Sequence, residues 1–548
     1  MMDSGETRIV DNGYEAFNAR PQLEGHLGAM AFRSLASNPS RSYIVDLSTG
    51  RKEMKAGLFL AVAIAVSRRL RQIPARRVGV VFPSGIAAAL SNLALELVDK
   101  VPVNLNFTVG RKSLESSISR AGLTHIITAK PVIEKLPDFP WTENVIDIAT
   151  LIKGIGKAEI LYYYGLVRSV PAGALMRWLG VPQEGGDREA ALLFSSGSTG
   201  EPKGVVLSHR NIIANLMQIH DVDLFEDTDV MLADLPIFHS FGFTVTMWYP
   251  MVSTVKAVCL PNPLETRRVA QAIADEGVTF LIGTPTLLRP FIKKVEPSLL
   301  KSLRVAVAGA EKPPEGFAEL WEKTFGSRFL IGYGITETSP AVAADILPIN
   351  EGRPSTFSGS TGRIFPGMQA CIVDDSTGNV LSPQSLGVLY LRGANVFRGY
   401  LGDLEATSRA FANGWYKTGD IARFDENGDL HIEGRISRFS KIGGEMVPHG
   451  TVEQAIARAW HLEDSEIPLV AITGVTDSVK GECLVLFTAI DIHASELRER
   501  LAAEGMPNLW IPRRIRRVDA IPTLASGKLD LAALRNSAQE SAAEEEAV

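Results

Sequence analysis

Cysteine is scarce in this sequence, and its scarcity excludes two classes of protein. The 548 residues contain three cysteines, Cys259, Cys371 and Cys483, which lie far apart in the chain. Such spacing supports neither a disulfide framework nor a cysteine-based metal site. We therefore expect a protein of a reducing compartment, the cytoplasm.

Long hydrophobic runs and an excess of positive charge are also missing. The net charge is −6, which argues against a nucleic-acid partner. The N-terminus has no signal-peptide pattern, and the apolar stretch Leu58–Val66 is too short to span a bilayer, so it predicts a buried helix. Arg168, Pro171 and Arg177 interrupt the apolar stretch Leu161–Leu179. We expect a loop packed on the core there, with peripheral contact at the inner membrane surface as the alternative.

The chain is too long for one hydrophobic core, so at least two domains are expected. Short apolar runs alternate with amphipathic segments and predict an α/β fold rich in parallel sheets. The predicted strands are Val78–Phe82, Val101–Leu105, His125–Thr128, Ala191–Phe194, Val230–Leu235, Lys256–Leu260, Phe280–Gly283 and Leu303–Ala308. Closely spaced turn signals predict a β-rich subdomain at residues 369–433. A polar, glycine-bearing hinge then separates an N-terminal domain, residues 1–434, from an α+β lid, residues 435–548.

The most informative segment is the loop after the predicted strand Ala191–Phe194. It offers hydroxyl groups, flexible glycines and one cation, which together suit a polyphosphate. These residues are Ser195, Ser196, Gly197, Ser198, Thr199, Gly200, Lys203 and Gly204. No Gly-Lys-Ser/Thr closes the loop, so it is not a Walker P-loop. A glycine- and serine-rich surface loop is the alternative, and residues 211–218 after it look helical.

The loop resembles the phosphate-binding motif of the acyl-adenylate-forming enzymes, the superfamily of acyl-CoA synthetases, peptide-synthetase adenylation domains and luciferases. Four further segments resemble that superfamily's motifs in the same order: Val307–Lys312, Ile331–Ser339, Lys417–Asp420 with Arg435, and Ile521–Lys528. The resemblance implies an AMP-binding domain with a mobile lid. It also implies that a carboxylate attacks the α-phosphate of MgATP, giving acyl-AMP and pyrophosphate, before a thiol takes the acyl group.

The resemblance also implies a role for each matching residue. Contacts to ATP or AMP fall on Ser195, Ser196, Gly197, Ser198, Thr199, Gly200, Lys203, Gly309, Ala310, Glu311, Tyr333, Gly334, Thr336, Asp420 and Arg435. Glu337 is implied to hold Mg²⁺, a hard cation that prefers carboxylates. Lys528 is the implied catalytic lysine, and Lys203, His239 and Thr336 are expected to assist it. For His239, a purely structural role is the alternative.

One departure from the superfamily concerns the hinge. An Asp or Lys often stands two residues after the motif arginine, whereas this chain has Ser437 followed by Arg438. Arg438 is interpreted either as a phosphate clamp or as a solvated charge.

The segment Leu235–Trp248 is expected to border the acid-binding pocket. No acidic residue occurs from Leu235 to Cys259, so a buried substrate ammonium would have no partner there, which argues against an amino acid. The apolar side chains favour an alkyl chain, and we assign Phe241, Trp248 and Gly283 to the acyl pocket. A plain buried helix is compatible with the same residues.

A narrower resemblance points to a carrier protein as acceptor. Segments 235–245, 307–312 and 438–447 look like the acyl-ACP synthetase domain of the bifunctional bacterial lysophospholipid acyltransferase/acyl-ACP synthetases, with similarity from around Met30 to around Arg535. We expect a free-standing fatty-acid ligase that delivers its product to the phosphopantetheine of an acyl carrier protein. Coenzyme A is the rival acceptor. A catalytically inactive nucleotide-binding protein is the alternative of another class, which the retained motif residues oppose.

A basic cluster near the C-terminus is the sequence feature that suits an acidic carrier protein. It comprises Arg513, Arg514, Arg516 and Arg517. A solvated strand face is the alternative, since runs of charge usually have that origin.

Overall fold

A computed structural model of the chain describes residues 9–196, 202–346, 359–443, 445–462, 465, 467–477, 481–523 and 529–546. The strands within these residues are β1 Val10–Asp11, β2 Ser42–Asp46, β3 Lys52–Lys55, β4 Arg77–Val80, β5 Val101–Asn104, β6 His125–Thr128, β7 Asn144–Asp147, β8 Glu189–Ser196, β9 Pro202–Ser208, β10 Val230–Ala233, β11 Lys256–Cys259, β12 Phe280–Gly283, β13 Val305–Ala308, β14 Arg328–Gly334, β15 Ala341–Ala344, β16 Arg363–Ile364, β17 Met368–Val373, β18 Gly387–Gly393, β19 Phe411–Ala412, β20 Trp415–Phe424, β21 Leu430–Arg435, β22 Phe439–Ile442, β23 Glu445–Pro448, β24 Val470–Asp477, β25 Gly481–Thr488 and β26 Arg514–Arg517.

The α-helices of the described residues surround these strands. They are α1 Tyr14–Asn18, α2 Leu27–Ser37, α3 Ala56–Leu70, α4 Ile86–Glu96, α5 Arg111–Ala121, α6 Lys130–Lys135, α7 Ile148–Lys153, α8 Lys157–Ser169, α9 Ala172–Leu179, α10 His209–Asp221, α11 Tyr249–Val252, α12 Thr266–Glu276, α13 Pro285–Lys294, α14 Phe317–Phe325, α15 Leu404–Ala410, α16 His449–Ala459, α17 Ala494–Ala503 and α18 Leu531–Glu546. A π-helix spans Phe241–Trp248, and a 3₁₀ turn spans Thr336–Thr338.

Two large sheets form the centre of the molecule. One has the strand order β7-β6-β4-β5-β8-β9, and the other has the order β16-β15-β14-β13-β12-β10-β11-β2-β3. Pairing among the central strands is parallel, for example β12 with β13 and β13 with β14. Every residue of β12 and β13 is buried, because parallel sheets are covered on both faces by other elements. The α/β fold and all eight predicted strands are confirmed.

The predicted buried helix and β-rich segment are also present. Leu58–Val66 lies inside α3, whose residues are mostly buried.

A third sheet has the order β1-β17-β18-β20-β19, with β21 paired to β20, and its pairings are antiparallel. A fourth sheet takes all its strands from β22 to β26. The proposed boundary between residues 434 and 435 precedes that fourth sheet and stays a prediction.

The stretch Leu161–Leu179 differs from its predicted structure. We expected a loop, but the stretch forms most of α8 and all of α9. Tyr163 and Val167 are buried in the same apolar cluster as α3, whereas Leu161 is 65% exposed and Trp178 is 61% exposed. The residues are amphipathic at helical spacing, which the interrupting arginines and proline obscured. Peripheral membrane contact stays a prediction. Within the described residues, no helix is both long enough and apolar enough to cross a membrane.

Candidate active site

The predicted phosphate-binding loop joins two antiparallel strands. Ser195 of β8 lies opposite Lys203 of β9 in the register. The loop residues Gly197, Ser198, Thr199 and Gly200 lie outside the described residues, as does Lys528. Lys203 stands on a strand that is paired on one side with β8, so its backbone is fixed.

Glu337 and Lys203 both contact Tyr400, a residue outside the predicted site. The Tyr400 hydroxyl donates to Glu337 Oε1 at 2.9 Å. The Lys203 ammonium lies 5.1 Å from the centroid of the Tyr400 ring, a cation–π contact. The implied metal ligand and the implied phosphate-binding cation therefore share one neighbour. Tyr400 carried no motif signal, and its proximity to both residues arises only from the tertiary fold.

Asp420 and Tyr333 come together where the superfamily motif implies ribose binding. Asp420 lies opposite Arg435 in the β20–β21 pair, and Asp420 Oδ1 is 2.8 Å from Arg435 Nε. The Tyr333 hydroxyl donates to Asp420 Oδ2. Burial raises the pKa of Asp420, although the Arg435 charge acts in the opposite direction. Each carboxylate oxygen retains a further lone pair, so the pair of oxygens fits two vicinal hydroxyls.

The segment that follows β13 lies beside Phe241. A Cβ on Gly309 would stand 3.0 Å from the Phe241 ring, so this glycine permits the close contact. The Gly309 N–H donates to the Gly283 carbonyl at 3.0 Å. Ala310 adopts a left-handed backbone with φ of 67°, and Glu311 accepts a hydrogen bond from the Thr286 hydroxyl at 2.6 Å.

The other acid-pocket candidates differ in burial. Trp248 is fully buried, and its ring packs edge-on against Phe243, with centroids 6.2 Å apart. His239 is exposed, with its ring 4.8 Å from that of Phe238. Thr336 lies at the 3₁₀ turn, where its hydroxyl is 3.3 Å from the Ser240 hydroxyl. The structure thus brings Phe241, Gly283 and Gly309 together and places Trp248 in the core.

A buried polar face of α10 holds the motif segments in place. Asn211 Nδ2 donates to the carbonyls of Ala394 and Val396, both at 2.8 Å. Asn215 Nδ2 donates to the Ala341 carbonyl at 2.7 Å, and Gln218 Nε2 lies 3.2 Å from Asn395 Oδ1. These side chains recur at helical spacing on one face, a pattern that would have identified them.

Asn395 extends this network to the turn that carries Glu337. The Asn395 side chain is fully buried and donates to the Thr338 carbonyl at 2.9 Å. The backbone N–H of Phe397 donates to the Glu337 carbonyl at 2.8 Å. The segment from Asn395 to Tyr400 therefore fixes both the backbone and the side chain of Glu337.

The hinge arginine and the basic cluster both make hydrogen bonds and ion pairs with other C-terminal residues. Arg438 pairs with Glu453 and donates to the Ile472 carbonyl at 3.2 Å, so the interpretation as a solvated charge is wrong. Its use as a phosphate clamp stays a prediction. Arg516 donates to the Ser537 carbonyl, and Arg517 lies 3.1 Å from Asp491. The arginines of β26 are therefore partly committed to internal contacts, which a run of charge in the sequence cannot reveal.

A second polar cluster lies apart from these residues. His26, Glu96 and His209 are buried, with one donor atom from each within 4.8 Å of the others. His26 Nδ1 accepts from the Gly28 N–H at 3.1 Å, and His209 Nδ1 accepts from the Leu27 N–H at 3.2 Å. A neutral imidazole has one lone-pair nitrogen, and here backbone groups already engage it. The cluster is therefore poorly suited to a metal ion.

Comparison with known proteins identifies the family of the chain. The profile of the family described as "AMP-binding enzyme" matches residues 59–401, more than half of the chain. The chain therefore belongs to the AMP-binding enzyme family, and the predicted superfamily is confirmed.

Curated relatives extend the similarity. A luciferin 4-monooxygenase of Photuris pensylvanica is 31% identical over 361 residues, 64% of each chain. A long-chain-fatty-acid–CoA ligase of Bacillus subtilis (strain 168) is 29% identical over 349 residues, 62% of this chain and 60% of that protein. Both alignments span less than two thirds of the relative. A long-chain-fatty-acid–CoA ligase of Escherichia coli O157:H7 is 26% identical over 494 residues, 84% of this chain and 85% of that protein.

Solved structures share the fold. ATP-bound MatB from Rhodopseudomonas palustris has a TM-score of 0.73 at 22% identity, covering 93% of this chain and 98% of that chain. The anthranilate CoA ligase AuaEII, in complex with anthranoyl-AMP, has a TM-score of 0.74 at 20% identity, covering 96% of this chain and 99% of that chain. The adenylate-forming fold predicted from the motifs is confirmed.

Proposed function

We propose that the protein is an AMP-forming acid–thiol ligase that activates a medium- or long-chain fatty acid. The carboxylate attacks the α-phosphorus of ATP, the bond from that phosphorus to the bridging oxygen of pyrophosphate breaks, and acyl-AMP forms. A thiol then attacks the acyl carbon, and AMP leaves. The observation that carries the proposal is the arrangement of Lys203, Glu337 and Asp420 on rigid elements, in a chain of the AMP-binding enzyme family.

Each residue has a defined task in this reaction. Asp420 binds the ribose hydroxyls, and Lys203 faces the phosphates as a fixed positive charge. Glu337 would hold Mg²⁺ through the oxygen that Tyr400 does not occupy, and the cation would neutralise phosphate charge. Lys528 is proposed to stabilise charge where carboxylate and α-phosphate meet.

A fatty acid is proposed because the candidate acid segment is apolar and carries no carboxylate. Phe241 lies against Gly309 beside the motif segment, and no acidic residue occurs from Leu235 to Cys259. The long-chain-fatty-acid–CoA ligases among the relatives support this choice.

The acceptor is proposed to be a phosphopantetheine thiol. The segments that resemble acyl-ACP synthetases favour a carrier protein. The named CoA ligases among the relatives favour coenzyme A. Both acceptors present the same thiol, so the acceptor must be distinguished by experiment.

The first test measures pyrophosphate release with MgATP and saturated fatty acids from octanoate to stearate. Each acid is tested without acceptor, with coenzyme A and with holo acyl carrier protein. Thioester formed only with the carrier protein would support acyl-ACP synthesis, whereas thioester with coenzyme A would establish a CoA ligase. Absence of pyrophosphate release with every acid would refute the fatty-acid proposal.

A variant tests the catalytic assignment. Lys528→Ala is expected to lose adenylation by at least about 100-fold while retaining ATP binding, because the lysine acts on the developing charge. Lys301→Ala, a change at an exposed lysine, is the matched control and should be fully active. Unchanged adenylation by Lys528→Ala would contradict the mechanism.

A further inference from the structure

Tyr400 occupies a position between two groups of opposite charge. Its hydroxyl donates to Glu337 Oε1 at 2.9 Å, and its ring faces the Lys203 ammonium at 5.1 Å. Within the part of the chain that the structure describes, no ion pair joins Lys203 to Glu337. The tyrosine thus contacts both charges while they remain separate.

The backbone of Tyr400 is held from two directions. Tyr400 forms a β-bridge with Val205 of β9, two residues beyond Lys203, and the next residue, Leu401, donates to the Gly204 carbonyl at 2.8 Å. On the other side, the Tyr400 N–H donates to the Thr407 hydroxyl at 2.9 Å. The backbone of this segment is therefore attached to the strand that carries Lys203.

The side chain of Tyr400 is held as firmly as its backbone. Its ring packs edge-on against Phe397, with centroids 4.9 Å apart, and Phe397 packs in turn on Tyr416 at 5.2 Å. Burial, together with the neighbouring Glu337 and Tyr400, raises the pKa of Tyr416, so Tyr416 remains a neutral neighbour of this pair. The packed ring and the hydrogen bond to Glu337 Oε1 therefore orient the Tyr400 proton towards the carboxylate.

A direct Lys203–Glu337 ion pair would be harmful to the proposed reaction. In such a pair the lysine ammonium would be less available to bind phosphate. One carboxylate oxygen would likewise be less available to a metal ion. The aromatic face satisfies the ammonium without neutralising it, and the phenol hydrogen bond orients the carboxylate without neutralising it.

We propose that Tyr400 is a positioning residue of adenylation, which keeps Lys203 and Glu337 apart and fixes the carboxylate for Mg²⁺. This inference rests on the proposed function, because it assigns Glu337 to the metal ion that accompanies ATP. Tyr400 acts through these two residues.

Two variants separate the two contacts. Tyr400→Phe keeps the ring beneath Lys203 and removes only the hydrogen bond to Glu337. Tyr400→Leu removes both contacts and allows the two charges to pair. Tyr390→Phe is the matched control, since Tyr390 is a buried tyrosine of β18 whose charged neighbours are Lys417 and Asp375.

The primary measurement is ATP binding by titration calorimetry with and without Mg²⁺, which requires no turnover. In the wild type, Mg²⁺ should tighten ATP binding. In Tyr400→Phe, the Mg²⁺ concentration for half of that effect should rise about tenfold, as expected for loss of one hydrogen bond to a charged group. Tyr390→Phe should match the wild type.

The second measurement is pyrophosphate release as a function of Mg²⁺. Tyr400→Phe should recover nearly full kcat at saturating Mg²⁺. Tyr400→Leu should not, because in that variant Lys203 pairs with Glu337 and is less available to the phosphates. A merely structural role would lower kcat without moving the Mg²⁺ dependence. An unchanged Mg²⁺ dependence of ATP binding in Tyr400→Phe, or no effect of Mg²⁺ on the wild type, would overturn the inference. Lack of turnover with a normal Mg²⁺ effect on binding would instead count against the fatty-acid proposal alone.

Discussion

Replacing Asp420 by asparagine isolates the proposed contact with the ribose hydroxyls. Asp420 is 3% exposed, and its two oxygens already accept from Tyr333 and Arg435. One lone pair per oxygen remains, which is enough for two vicinal hydroxyl groups. Asparagine offers a single oxygen, so the variant can accept from one ribose hydroxyl at most.

The magnitude follows from the loss of one charge-assisted hydrogen bond. Such a bond contributes about 1.5–3 kcal/mol, so ATP should bind to Asp420→Asn about 10- to 150-fold more weakly. The assay is calorimetric titration with ATP and with 2′-deoxy-ATP. The wild type should bind 2′-deoxy-ATP more weakly than ATP by a similar factor. Asp420→Asn should discriminate much less between the two nucleotides, because it already lacks one hydrogen bond to the ribose.

Glu433→Gln is the matched control for this experiment. Glu433 lies on β21, two residues before Arg435, and its carboxylate contacts Lys312 at 3.4 Å. This variant removes one negative charge from the same strand pair and should bind both nucleotides as the wild type does. The reasoning is refuted if Asp420→Asn binds ATP normally, or if it discriminates against 2′-deoxy-ATP as strongly as the wild type.

Three further variants test the surroundings of the site. Asn395→Ala should lower the free energy of unfolding by about 2–3 kcal/mol in urea, since the Thr338 carbonyl loses its buried donor; a loss under about 0.5 kcal/mol would contradict this. Burial raises the pKa of Asp234 to about 7 from 3.8, so its contribution to stability is present below about pH 4 and is lost as pH rises through about 7. That loss is at most about 4 kcal/mol, and urea unfolding of Asp234→Asn should lack this decline. Gly309→Ala places a Cβ against the Phe241 ring and should raise the KM for the fatty acid about tenfold. Adding Phe241→Leu should lower that KM again, because the smaller side chain makes room for the Cβ. An unchanged KM in Gly309→Ala would exclude this contact from the acid site.

The sequence was most informative where burial determines structure. Phe280–Gly283 and His125–Thr128 were predicted with the bounds that the structure shows, because parallel central strands read as continuous apolar runs. The prediction failed for Leu161–Leu179, where charged residues on an amphipathic helix resembled loop signals. One of the two interpretations of Arg438, the solvated charge, failed for a related reason, since its partner Glu453 becomes adjacent only after folding.

The candidate site shows the same limit. Motif order identified Glu337, Asp420 and Arg435, and the last two meet as cross-strand neighbours. Tyr400 escaped notice because it lies 63 residues from Glu337 in the chain and belongs to no motif that implies chemistry. Motif residues are of recognisable types at fixed spacing, whereas Tyr400 is recognisable only by its contacts.

The polar face of α10 explains how motif segments that are distant in the sequence are held close together in the fold. The helix begins directly after β9, so its position is tied to Lys203, and Ser208 caps its first turn by accepting from the Asn211 N–H. From this fixed start, Asn211 binds the segment that ends in Tyr400, while Asn215 binds the strand after Glu337. Buried amides that lose a partner incur the full cost of desolvation, so the two segments cannot drift from the helix without a large loss of stability. The spacing between the lysine and the carboxylate is therefore set by a hydrogen-bonded core beneath them, and the side chain of Tyr400 contacts both charges, Lys203 through its ring and Glu337 through its hydroxyl.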